Sequence, residues 1–430
     1  MRKTRWIWIS ALLIMALSAA LCTFVSADVD LTLALEKVGE IPEETLDYED
    51  IRIYPSGLIA EDAEGNYYVL DEMGNNNLGR SYGNASFFTD ELFKVYDAAT
   101  WPNSCGLVKA DGTVVLPCEA AIINSVNDTD RYVEVSVATE PTDKEHAFIY
   151  TYDGWVAWPD EDSEYYDGYK HYYDLKEGKY IDTLDEADPS GFQGRYTYEQ
   201  GDDDKYSIVA PDGTVVTELN SRPSEIYGEG EFFAMKQDDG YIVVDRNGAP
   251  ISEFQFKAPP DVINGYLSAV KTEDDKAYTV MDFEGNIYVD GEDNIPYVNE
   301  KAYGFTLLGN PDDKNLLLYP DGTLAELGKY SNGGDLPFYK RGSDGEPDQF
   351  FVLEKGAYQD LGEEHLVNSN MESSLIIQAK ADGEEESSLY NTIDGSVLME
   401  KAGTDFYTSD YWVYVLKDGV WGVYKVVVNN

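Results

Sequence analysis

Short apolar runs alternate with polar turns along nearly the whole chain, and most of the turns end on a glycine. The clearest are Ala210-Pro211-Asp212-Gly213, Asp245-Arg246-Asn247-Gly248, Asp282-Phe283-Glu284-Gly285, Tyr319-Pro320-Asp321-Gly322, Glu354-Lys355-Gly356 and Ile393-Asp394-Gly395, whose glycines recur at intervals of 34 to 39 residues. Gly65, Gly112, Gly154 and Gly178 extend the series toward the N-terminus with less even spacing. The flanks are rich in Val, Ile, Tyr and Phe, and a further extended stretch lies upstream, as in Glu231–Lys236 and Gly265–Lys271. β-Branched and aromatic residues around a Gly turn predict strands, so each unit reads as an antiparallel meander of three or four strands.

A meander of this size cannot bury its apolar face alone, so neighbouring units must stack on one another. The chain is therefore expected to be all-β, with residues 51–430 forming one repeat domain. A β-propeller is the expected architecture and an open β-superhelix its alternative. Ring closure is favoured because the strand at Trp421–Val428 ends the chain without the hairpin partner that other units have. Ile51–Ala60 and Gly65–Leu70 are the expected source of that partner, which would protect both edges. Residues 28–50 then read as a short helical or irregular leader outside the ring. The turn signals outnumber the usual four to eight blades, so some are expected to be additional hairpins unless the array is open.

One turn and the strand after it carry a more specific pattern. Lys417-Asp418-Gly419-Val420-Trp421-Gly422-Val423-Tyr424, together with Cys105-Gly106-Leu107-Val108 running to Gly112 and Pro117, resembles the WG repeats of bacterial proteins. In that pattern Trp-Gly begins a strand and a turn glycine follows seven residues after the Trp. Counting back seven from the turn glycines reaches Tyr206, Tyr241 and Tyr278 in successive units, then Asn315, Gln349 and Ser388, with Cys105 in the Trp place of an early unit. Only Trp421-Gly422 is intact. The resemblance implies a structural unit rather than an active site, and residues placed alike in successive units (Tyr206, Tyr241, Tyr278 and Trp421) are expected to fill equivalent core slots.

The N-terminus reads as an export signal. Arg2, Lys3 and Arg5 precede an apolar run from Trp6 to about Leu21, and Val25-Ser26-Ala27 offers small residues for cleavage before Asp28. Residues 1–27 are therefore a predicted secretory signal peptide and the mature chain is expected outside the cytoplasm, free or at the cell surface. A lipoprotein reading through Cys22 requires a small residue where Leu21 stands. No long apolar segment follows, so no integral membrane segment is expected after cleavage. Export also permits a disulfide. A two-residue turn at Asp111-Gly112 sets Cys105 opposite Cys118 and predicts a bridge, whereas a bulged turn parts them, and Pro117 fits the first register poorly.

Charge narrows the partners. With 82 acidic and 31 basic residues the formal charge is −51, which repels nucleic acid and anionic lipid. The three histidines that follow the signal, His146, His171 and His365, are scattered, and no metalloprotease, nucleophile-elbow or phosphate-loop motif is present, so histidine-centred catalysis is not expected. Oxygen-rich loops at Asp202-Asp203-Asp204, Asp290 to Asn294 and Pro311-Asp312-Asp313 suit either calcium or solvent, and none has full EF-hand spacing.

The densest candidate chemistry lies between Ala147 and Tyr180, where aromatics interleave with carboxylates. Trp155, Trp158, Tyr165, Tyr166 and Tyr169 are candidates to stack on sugar faces while Asp160, Asp162 or Asp167 accept hydroxyl hydrogen bonds; the alternative is that the segment packs on its own domain. The functional expectation is an exported, non-catalytic protein that binds an extracellular glycan or peptide. A carboxylate-dependent carbohydrate-active enzyme and a structural scaffold for protein partners are the alternatives.

Overall fold

The computed structural model describes residues 31–100, 104–126, 131–138, 149–150, 156–157, 168–181, 196–201, 205–210, 214–271, 278–290, 297–309, 315–330, 336–343, 346–367 and 373–429. The chain is all-β. Among the described residues, ten antiparallel sheets of three or four strands follow one another, numbered here one to ten in chain order, with sheet one at Asp50–Leu70 and sheet ten built on Asp405–Asn429. A separate two-stranded hairpin pairs Ile149–Tyr150 with Val156–Ala157. Among the described residues, the turn signals thus mark ten sheets and one hairpin. Of the additional hairpins expected, one is described, and the other described turns join strands of the ten sheets.

The ring closes through its first strand. Thr32–Pro42 pairs antiparallel with Val420–Asn429, from Thr32 opposite Asn429 to Pro42 opposite Val420, and becomes the outer strand of sheet ten. Two expectations are corrected here. Within the expected leader, 28–50, the described residues from Leu31 on are not outside the ring, and Ile51–Tyr54 does not complete the last sheet but opens sheet one with Gly57–Glu61 and Tyr67–Leu70. The physical reason lies in the period-two pattern of the N-terminal segment: Leu31 and Leu33 are buried in the core beneath sheets seven to ten, and Leu35 packs beside them.

Sheet-to-sheet packing makes the core a series of seams rather than one centre. Phe93, Val95 and Val108 of sheet two meet Ile59 and Val69 of sheet one. Leu107 and Leu116 meet Ile123 and Val133 of sheet three, and sheets four to seven repeat the arrangement. At the closing seam, Trp412, Tyr414, Trp421 and Val423 pack on Ile51, Ile53, Leu58 and Leu70 of sheet one. Three hydrogen bonds pin it: Trp412 Nε1 to the Pro55 carbonyl (3.1 Å), the Tyr414 hydroxyl to the Glu72 carbonyl (3.0 Å) and Trp421 Nε1 to the Glu43 carbonyl (3.3 Å). Last sheet packed on first, with the N-terminal strand as its outer edge, is the closure of a β-propeller.

The seven-residue count finds the strand that leads into the marked turn, which is the third strand of most sheets and the second of the three described strands of sheets four and eight. Strands begin at Cys105, Tyr206, Tyr241, Tyr278 and Gln349, and within one residue of Asn315, Ser388 and Trp421. Sheet one obeys the same rule with Tyr67 and Gly74, so its equivalent glycine is Gly74 rather than Gly65. Trp421 is buried, whereas Tyr206, Tyr241 and Tyr278 are half-buried at the seam edge. The turns share a mechanism. Asp245 Oδ1 accepts the backbone N–H of Asn247 (2.9 Å) and Ala249 (2.8 Å), and Asp62, Asp71, Asp111, Asp282, Asp321 and Asp394 cap their own turns in the same way.

The predicted disulfide is absent. Cys105 and Cys118 are free thiols, Cys105 buried and Cys118 partly so. Leu107 does oppose Leu116, but the register shifts between Cys105 and Leu107 and sets Cys105 opposite Ala120. Pro117 cannot donate a ladder hydrogen bond, and a bulge at that point removes the need.

Candidate functional site

In a meander, successive turns fall at opposite ends of the sheet, so the first-to-second-strand loops of all sheets gather on one face. Four of these loops lie within hydrogen-bonding or electrostatic reach of one another. Sheet two contributes Asp90, sheet seven Tyr303, sheet nine Ser373 and Ser374, and sheet ten Asp410 and Tyr411. Asp410 is held in place: its Oδ1 accepts the backbone N–H of Ser374 (2.6 Å) and the hydroxyl of Ser373 (3.1 Å). Ser409, one residue earlier, shapes the turn, its hydroxyl oxygen accepting the N–H groups of Tyr411 (3.1 Å) and Trp412 (3.0 Å).

Tyr411 is 45% exposed, a large ring left in solvent beside these carboxylates. Desolvation raises its hydroxyl pKa above the ordinary tyrosine value, and the charges of Asp90 and Asp410 add to the rise. Tyr303 responds in the same way, to desolvation first and then to Asp410 and Tyr411. Groups from sheets two, seven and ten therefore lie within electrostatic reach of one another although other sheets intervene along the ring. Tyr303 also sits in the left-handed region at φ 58, a costly conformation for a bulky residue and one that concentrates at functional positions.

Beneath this loop cluster runs a buried polar seam between sheets nine and ten. Ser373, Thr408 and Ser409 are all buried there. Thr408 is 2% exposed and its Oγ1 has no hydrogen-bond partner. Strand alternation puts it on the side of Phe406, whose ring packs with Leu375 and Ile376 of sheet nine, so Thr408 faces the seam that Asp410 bridges.

The residues expected from sequence to bind ligand fall elsewhere. Trp155, Trp158, Tyr165, Tyr166, Asp160, Asp162 and Asp167 lie outside the described residues. Tyr169 has a described backbone position, in Gly168–Asp174 opposite Val137. Asp202, Asp203, Asp204, Asp312 and Asp313 also lie outside the described residues, and Asp290 takes Lys271 Nζ at 2.6 Å. Among the described residues no group of three or more acidic, His or Cys side chains is arranged to hold a metal ion. His171 lies in sheet three and His365 in sheet nine, where its Nδ1 stands 3.8 Å from Asp348.

No protein-family model matches the sequence, and no curated protein matches it. Solved structures match at low identity and low TM-score. The crystal structure of the β-propeller domain of Cps50 (Swd1) from Myceliophteria thermophila is 9% identical, with 91% of this chain and 100% of that one covered at a TM-score of 0.25. BamB from Moraxella catarrhalis is 11% identical over 91% and 100% of the two chains at 0.21, and a eukaryotic initiation factor is 9% identical over 85% and 92% at 0.32. The propeller assignment stands on strand pairing and closure within the chain itself. Among the described residues no helix is long and apolar enough to cross a membrane.

Proposed function

We propose that this protein is an exported, non-catalytic recognition scaffold, built of WG-like units, that binds an extracellular protein partner through the loops gathered around Asp410. The observation that carries the reading is the grouping of Asp90, Tyr303, Asp410 and Tyr411, which come from three different sheets and leave an aromatic ring exposed beside the carboxylate of Asp410, itself held by Ser373 and Ser374. Loops on a rigid ring suit recognition because the scaffold fixes their spacing in advance. The export signal read at residues 1–27 sets the compartment, and the charge of −51 disfavours nucleic acid and anionic lipid as partners.

The test places a photo-crosslinking phenylalanine analogue at position 411 of the exported chain in its native culture. The reading expects a discrete protein adduct that disappears when Asp410→Asn is added. Glycan capture without a protein adduct would return the function to the sugar-binding expectation, and glycoside turnover abolished by a single carboxylate substitution would make the protein an enzyme.

A further inference from the structure

Two Asn-Gly pairs lie among the described residues, and the fold holds them differently. Glycine has no side chain to shield its amide nitrogen, so in such a pair that nitrogen can close on the asparagine side chain. At Asn264-Gly265 the side chain is tied down. Asn264 Nδ2 donates to the Phe305 carbonyl of sheet seven at 2.6 Å and to Thr306 Oγ1 at 3.2 Å, and both partners belong to fully buried residues of the next unit. At Asn247-Gly248 no neighbouring unit takes hold. Asn247, Gly248, Ala249 and Pro250 are exposed, the space around Gly248 is open, and Asn247 Nδ2 makes a long contact, 3.3 Å, to Asp245 Oδ2 of its own turn. The Gly248 N–H donates to the Asp245 carbonyl at 2.9 Å, a bond inside an exposed turn that local opening releases without disturbing another sheet.

We propose that Asn247 is a site of spontaneous covalent modification, deamidating in the folded ring to an isoaspartyl linkage, while Asn264 is preserved. The Gly248 nitrogen attacks Asn247 Cγ. The new C–N bond replaces the bond to Nδ2, which leaves as ammonia with the proton from Gly248. Water then opens the cyclic imide at the original main-chain carbonyl, leaving a carboxylate at position 247 and one additional carbon in the backbone. The product falls in the turn that holds the outer edge of sheet five. Asp245 Oδ1 accepts the N–H groups of Asn247 and Ala249 at 2.9 and 2.8 Å, and the next ties along that edge are the Val244–Pro250 bridge and the Ile251 N–H to the Val243 carbonyl at 3.0 Å. A longer backbone breaks the spacing of this cap, and a new carboxylate beside Asp245 repels it. Loss of the turn uncovers the edge of Tyr241–Asp245.

The test incubates the full mature chain at mildly alkaline pH, folded and in urea, and maps its peptides for exchange of the side-chain amide for a carboxylate and for hydroxylamine cleavage at the imide. In the folded chain position 247 is expected to convert about five- to tenfold faster than position 264, the factor left when one released turn bond is set against two bonds to sheet seven. In urea the two positions are expected to convert alike. Equal rates in the folded chain, or no conversion at 247 until urea is added, would overturn the proposal. A difference that persists in urea would overturn it too, because the selectivity would then lie in the sequence and not in the fold. Asn247→Asp carries the new charge without the extra carbon. The converted fraction, separated by ion exchange, is expected to melt below both the unconverted chain and Asn247→Asp, whereas melting together with Asn247→Asp would contradict the loss of the turn.

Discussion

At the scale of single residues, the acidic composition is partly a structural device. Asp62, Asp111 and Asp245 have carboxyl pKa values held below the ordinary aspartate range, first by the backbone N–H groups of Asn66, Thr113 and Ala249 respectively. A carboxylate lowered in the folded state stabilises above its unfolded pKa, and that stabilisation is lost as pH falls through the folded value. The charge of −51 acts in the opposite sense, because partial protonation on the way down from neutrality relieves self-repulsion. Thermal unfolding at low salt should therefore show stability rising from pH 7 to about 5 and collapsing below about 3.5, with added salt flattening only the upper part. A monotonic fall from pH 7 would contradict the capped turns as the source of acid lability.

Glycine has a similarly local role at Gly285, which lies at φ +89 with space for no side chain: a Cβ there would stand 2.6 Å from the Ile251 carbonyl oxygen of the preceding unit. Gly285→Ala should cost about 2–4 kcal/mol, against about 1 kcal/mol for Gly248→Ala, where φ is +81 but the surroundings are open. Urea midpoints at constant slope would measure both. The thiols provide a third check at this scale. Burial pushes the Cys105 thiol up to about 11, so alkylation should label partly exposed Cys118 first and Cys105 only after unfolding. Unreduced protein whose Cys105 and Cys118 peptides are linked would contradict the bulged register.

Tyrosine abundance is also explained by particular residues. The hydroxyls of Tyr227, Tyr266 and Tyr319 donate to the carbonyls of Pro260, Tyr319 and Leu353, each in a following unit, at 2.7, 2.9 and 2.7 Å. A ring that fills a seam while its hydroxyl satisfies a neighbouring carbonyl joins two sheets with one side chain.

At the scale of elements, the strand leading into each marked turn was legible because its start lies seven positions before the turn glycine and, in several units, carries a tyrosine. The count from the turn glycines places Tyr206, Tyr241 and Tyr278 at strand starts. The closing strand was misread for a physical reason. Thr32-Leu33-Ala34-Leu35-Glu36 is built of residues with good helix propensity, and the deciding signal was the alternation of Leu31, Leu33 and Leu35, whose partner lies nearly four hundred residues away. Val38 lies where the register shifts between Lys37 and Gly39, on the outermost strand, and is half-exposed there. A bulge on an edge strand discourages pairing with another chain. Removing residues 31–42 should lower the melting temperature of the entire ring and broaden its transition, because an open sheet ten exposes Trp421 and Val423 together with unpaired backbone. An unchanged melting temperature would mean that the strand is an accessory.

At the scale of the whole molecule, the candidate site escaped sequence reasoning altogether. Asp90, Tyr303, Ser373 and Asp410 lie in four loops with no shared motif, and ring closure is what brings Asp90 of sheet two within reach of the others. The aromatic-rich stretch from Ala147 to Tyr180 attracted attention because its residues are adjacent along the chain, whereas a propeller assembles its axial surface from residues that are not. Site and closure are thus one claim: without Thr32–Pro42 on Val420–Asn429, sheet ten has no fixed relation to sheets one and two, and Tyr411 no fixed relation to Asp90.

Cross-linking the two ends of the chain tests that claim most directly. Glu36 opposes Lys425 and Lys37 opposes Tyr424, and adjacent pairs in an antiparallel ladder alternate between the two spacings, so one of them suits a disulfide. Chains carrying Glu36→Cys with Lys425→Cys, or Lys37→Cys with Tyr424→Cys, both in a Cys105→Ser, Cys118→Ser background, should oxidise at low concentration to an intramolecular bridge in at least one case. Mass spectrometry of the unreduced monomer would then find the peptide holding position 36 or 37 joined to the one holding position 425 or 424. Two free thiols in both folded variants, or bridges found only between molecules, would contradict a ring closed by its own N-terminal strand.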